Sequence, residues 1–137
     1  VKSIVEQTAK RFCELRLSKP EWTHYAHLRV GLWHMLNYPA AEALTRMRSG
    51  IRALNESHGV ANTETGGYHE SITRFYLWQI GVFLDANDRK RSEDDLAVEL
   101  ILEYGDKDLP FRHWSKARLM SPQARSGWVE PDLEALR

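Results

Sequence analysis

Half of the six histidines in this 137-residue chain lie in one short run, WTHYAHLRVGLWH, at positions 24, 27 and 34. Imidazoles ligate zinc and iron and exchange protons near neutral pH, so three on one helix raise both metal binding and acid–base chemistry. At about 100° per residue, His24, His27 and His34 share one narrow sector, with Gly31 in its middle and Arg29 nearly opposite. A charged side chain faces water, so the histidine stripe reads as facing inward, with Gly31 leaving room where the imidazoles point. Spacing then separates the three. His24 and His27 are about 4.5 Å apart along the axis, compatible with one shared ion, whereas His34 lies about 10.5 Å beyond His27. His34 is assigned to the surrounding ligand pocket and is expected to be buried and hydrogen-bonded, outside the coordination shell of any metal.

A zinc or iron ion needs three or four protein ligands, so a second segment must contribute. The stretch GYHESIT, residues 67–73, is the best donor. The pair Gly66-Gly67 at its head allows a tight turn, and His69 in the first turn of the next helix is expected to face the side carrying Ile72, Thr73 and Tyr76. His24, His27 and His69 are thus the expected ligands of one divalent metal, zinc or iron. Glu70 would complete the site or act as base, and Tyr68 or Thr73 would position a substrate. Glu70 also has a purely structural reading, an i,i+4 pair with Arg74 at a helix N-terminus. The His-Glu pair is not the zincin signature, because Thr73 stands three residues after Glu70 and no second histidine follows.

Three classes of function stay open on these residues. The first is a metal-dependent enzyme acting on a small molecule. The second is a non-catalytic small-ligand-binding or homodimerising bundle, in which the same imidazoles form a hydrogen-bond network. The third is a structural partner of another protein with no site at all.

Composition excludes other classes. Lys plus Arg and Asp plus Glu are 19 each, so no electrostatic footprint points to nucleic acid or to an acidic membrane. The basic cluster Arg89-Lys90-Arg91 is followed at once by acidic residues and reads as a solvated junction. Cys13 is the single cysteine, which excludes an intrachain disulfide and favours a reducing cytoplasmic setting. The longest apolar run, Phe75 to Leu84, is interrupted by Gln79 and falls short of the roughly 20 residues that span a bilayer.

The elements that must position these residues are helices separated by Pro, Gly and Asn. A first helix spans about 3–17, carrying Ile4, Val5, Phe12 and Leu15. Thr23 caps a second that ends near Asn37. A third has Pro39 in its first turn, a stripe of Ala40, Ala43, Leu44, Met47, Ile51 and Leu54, and Gly59 as its stop. A fourth covers about 68–87, and a fifth runs from Ser92 to Gly105. The fold class is all-α: one antiparallel helical bundle over residues 1–137, its irregular tail 106–137 packing on the bundle.

The motifs WTHYAHL and GYHESIT, with the late SPQAR and EPDL, resemble a family of small helical bacterial proteins of uncharacterised function. Ser71 stands where that pattern usually has Thr, a change that keeps the hydroxyl. The resemblance covers most of the chain from Trp22 onward and implies a site at the two histidine motifs, without implying a reaction. More loosely, the arrangement is similar to four-helix metal-dependent hydrolase or transferase bundles with three histidines between helices, an analogy of fold alone.

Overall fold

Short side-chain caps set where most helices begin. In the computed structural model, which describes residues 2–137, Ser3 Oγ accepts from Glu6 N at 2.9 Å to open α1 (Ile4–Cys13). Thr23 accepts from Ala26 N at the head of α2 (His24–Asn37), and Ser92 from Asp95 N at the head of α5 (Glu93–Tyr104). Each satisfies a helix N–H that has no partner within the helix. Pro39 occupies the cap position of α3 (Ala40–Ser57) rather than its first turn. Gly59, with φ at +77°, turns the chain out of that helix. His69 caps α4 (Glu70–Asp85). A 3₁₀ turn, Leu109–Arg112, then leads to the short α6 (Lys116–Leu119) and α7 (Pro122–Ser126), headed by Ser115 and Ser121. The described residues contain helices and no strands, so the fold is all-α. None of these helices is long and apolar enough to cross a membrane.

The first helix stops at Cys13 instead of running to Leu17. Leu15 takes φ +57°, a left-handed conformation that reverses the chain and sends Leu17 into the core. Of the apolar residues of this segment, Ile4 and Leu15 are 63% and 43% exposed, while Val5 and Phe12 are buried. On α3 the inward stripe is narrower than its spacing suggests: Ala43, Met47, Ile51 and Leu54 are buried, while Ala40 faces water.

Helix α2 is central, packed against α1, α3, α4 and α5. A main apolar cluster joins these five helices through residues such as Phe12, Leu32, Leu54, Ile80 and Leu96. A second cluster, built on Phe75, Trp114 and Leu119, lies between α4 and the tail. Fully buried Trp114 donates from its indole to Val129 O at 3.0 Å, and Asp132 takes the backbone N–H and hydroxyl of Ser115 at 2.7 and 2.6 Å. These bonds fold the tail on itself, while Ser71 Oγ, donating to Gly127 O at 2.7 Å, ties it to α4, which has one side in each cluster.

Candidate functional site

A cavity of about 290 Å³ lies where α2, α3 and α4 meet, bordered by His24, His27 and Gly31 of α2, Ile51 of α3, and Thr73 and Tyr76 of α4. Its remaining walls are aliphatic. The Nε2 atom of His24 is buried and has no hydrogen-bond partner. Burial pushes the His24 pKa below the ordinary imidazole value, against an opposing contribution from the Gly105 backbone. His27 donates from Nδ1 to Thr23 O at 2.7 Å, which leaves Nε2 as the acceptor on that ring. Its ring stacks on Trp22 with centroids 3.6 Å apart, and burial drives its pKa down to about 4. Both imidazoles are therefore neutral at neutral pH. The Tyr76 phenol donates to Asp106 O at 3.0 Å, so its ring, rather than a free hydroxyl, contributes to the wall.

Gly31 does more than leave space. A Cβ there would lie 3.0 Å from Ile80 Cδ1, so the glycine also permits the close approach of α2 and α4.

His69 does not join His24 and His27. As the cap of α4 it accepts from Ile72 N at Nδ1, 3.1 Å away, and donates from Nε2 to Leu119 O at 2.6 Å. Both ring nitrogens are engaged within the protein, and the side chain ties α4 to the tail instead of bordering the cavity. The helix start explains the difference: α4 begins at Glu70 rather than near 68, and at the cap, outside the helical turn, a side chain folds back over the first N–H groups rather than along the helix face.

Glu70 is likewise elsewhere. Only 7% exposed, it receives two bonds from Arg48, Nε to Oε1 at 2.9 Å and Nη2 to Oε2 at 2.7 Å, and a third from the Tyr68 hydroxyl at 2.7 Å. Arg48 and Tyr68, not an i,i+4 pair with Arg74, hold it. Burial raises the Glu70 pKa, but the bonds from Arg48 and Tyr68 outweigh it and the net shift is downward. A carboxylate so held is a weak base and borders a different part of the surface from the two histidines. Tyr68, buried with its phenol pKa raised chiefly by desolvation, is committed to Glu70. Of the residues assigned to substrate positioning, Thr73 alone borders the histidine cavity; its hydroxyl donates to His69 O at 2.8 Å.

His34 is 2% exposed and donates from Nδ1 to Val30 O at 2.8 Å, packed among Phe12, Trp33 and Tyr38. It is buried and hydrogen-bonded, but it does not border the cavity. His58 bonds Leu17 O at 2.8 Å, and His113 bonds Glu134 O at 2.7 Å; both join distant segments of chain.

Among the described residues no group of three or more His, Cys, Asp or Glu side chains is arranged to hold a metal ion. The donor set His24, His27, His69 and Glu70 does not fit one: its last two members have their donor atoms taken by other partners. Arg48 is the functional neighbour that sequence reasoning missed, because its helical position outside the apolar stripe places it with solvent-facing arginines. A larger groove of about 520 Å³, running past Met35, Leu44, Trp78 and Trp128, is mainly apolar and has Arg74 and Asp85 as its charged lining. Comparison with known protein families, with curated proteins and with solved structures finds no match to this chain.

Proposed function

We propose that this protein binds a compact, neutral, largely apolar small molecule in the cavity between α2, α3 and α4, without catalysing its reaction. The observation that carries this reading is the buried, unpartnered Nε2 of His24, on a ring that borders a mainly apolar cavity. A buried polar atom without a partner costs about 1–3 kcal/mol, which a ligand polar group would relieve. His27 supplies a second condition. With Nδ1 donating to Thr23 O, its Nε2 accepts, so a ligand O–H or N–H matches it. The volume sits at the low end for ligand sites, which selects small molecules, and neutral imidazoles at neutral pH do not favour an anion.

The residues assigned to catalysis and to the metal, Glu70 and His69, support binding over turnover. Glu70 is neutralised by Arg48 away from the cavity, and His69 holds the tail. The test is a ligand-observed NMR screen of small neutral alcohols, phenols and amides, with side-chain ¹⁵N shifts of the histidines as the readout. Binders are expected to move the His24 and His27 signals, leave His113 unmoved, and lose affinity in Thr73→Leu, which adds bulk at the cavity wall. Failure of every compound to move His24 or His27, or undiminished binding in Thr73→Leu, would refute the reading.

A further inference from the structure

A second cavity, of about 250 Å³, lies between α3, the segment entering α4, and α7, and shares no residue with the histidine cavity. Four guanidinium groups border it: Arg48 and Arg52 from α3, Arg74 from α4 and Arg125 from α7. Glu70 is the one carboxylate among the bordering residues, and it is already matched by Arg48. The chain as a whole carries no net charge, so a local excess of three positive charges is a feature of this place and not of the surface at large.

The unmatched arginines are held ready rather than neutralised. Arg125 donates from Nη1 to Gly67 O at 2.9 Å, fixing the side chain, while its Nε is buried with no partner. The Arg74 guanidinium lies 5.0 Å from the centroid of the Trp128 ring, and that of Arg52 lies 5.9 Å from that of Tyr68. Aromatic faces steady a planar guanidinium while leaving its N–H edges available. Neither Arg52 nor Arg74 makes an ion pair with a described carboxylate. Gathering like charges is unfavourable unless an anion enters among them.

We propose that this cavity is an anion site for the phosphoryl group of a small molecule. A phosphate monoester carries close to two negative charges at neutral pH and three terminal oxygens that accept from several guanidiniums at once. That matches Arg52, Arg74 and Arg125 better than a singly charged carboxylate does. The site stands independently of the histidine cavity.

The experiment follows binding of inorganic phosphate and methyl phosphate to the whole protein by titration calorimetry and thermal melting, with chloride and succinate at matched ionic strength as controls. Both phosphates are expected to bind and to raise the melting temperature above that in chloride, with succinate weaker. Arg52→Gln and Arg74→Gln, at exposed side chains without ion pairs, are expected to fold normally and weaken phosphate binding about tenfold each. Thr73→Leu is expected to leave phosphate binding intact, which separates this site from the neutral-ligand cavity. Phosphate no better than chloride, succinate equal to phosphate, or unchanged affinity in the Arg52→Gln/Arg74→Gln double variant would each overturn the proposal.

Discussion

Arg48 grips Glu70 with both faces of an ion pair, 2.9 and 2.7 Å, across 22 residues of chain. The Tyr68 hydroxyl closes the third side of the same carboxylate. This network joins α3 to the start of α4. Arg48→Met, which strands the buried carboxylate, is expected to cost about 1–3 kcal/mol, discounted from a fully buried pair because the Arg48 side chain is 38% exposed. Removing both partners, Arg48→Met with Glu70→Leu, should cost less than the sum of the single changes. Urea unfolding of the four proteins measures the coupling, and strict additivity would show that the pair contributes nothing.

Acid should weaken the fold in a defined window. Burial lowers the pKa of His24, His27, His34 and His69 in the native protein, so the unfolded chain takes up more protons once the pH falls below about 6.5. Stability is therefore level above that pH and declines below it, with the His27 contribution continuing down to about 4. Glu70, whose pKa is lowered, adds loss in the same direction at more acid pH. For partly exposed His27 the loss is on the order of 2 kcal/mol. Melting temperatures at pH 7.5 and 4.5 should differ less in His27→Gln than in the parent; an equal drop would reassign the effect.

His69 should behave as a structural residue. His69→Ala removes both the helix cap and the bond to Leu119 O, and a loss of about 1–3 kcal/mol is expected. His69→Asn, which keeps a capping acceptor, should recover part of it. Hydrogen exchange across 116–126 reports the tail directly. A tail protected equally in His69→Ala would mean that the second apolar cluster alone holds it.

Gly31→Ala sets stability against binding. Alanine gains about 1 kcal/mol of helix propensity over glycine. Its Cβ would press on Ile80 Cδ1, the far end of a flexible side chain that borders the cavity and can move into it. The expected result is a protein as stable as the parent or more so, with weaker binding of any neutral ligand found for the histidine cavity. A large destabilisation would show that Ile80 is locked in place.

The parts of this protein written in its sequence are those governed by contacts a few residues apart. Thr23 and Ser92 cap helices by bonding an N–H three residues on, and Gly59 stops α3 through its own φ, so local composition is enough to place them. The all-α class follows from helical periodicity in the same way. So does the inward aspect of His24 and His27, because their azimuth is set by their own helix. What an azimuth does not contain is the identity of the neighbour. His69 meets Leu119, 50 residues away, and Glu70 meets Arg48 only because α3 and the tail both pack near the start of α4. The start of α4 at Glu70 rather than near 68 turned His69 from a member of the inward face into a bracket for the tail. It also left Glu70 in a network with an arginine that looks solvent-facing on its own helix. Helix–helix packing joins surfaces distant in the chain, and those joints, which no short-range spacing encodes, decided that two histidines border one cavity and four arginines another.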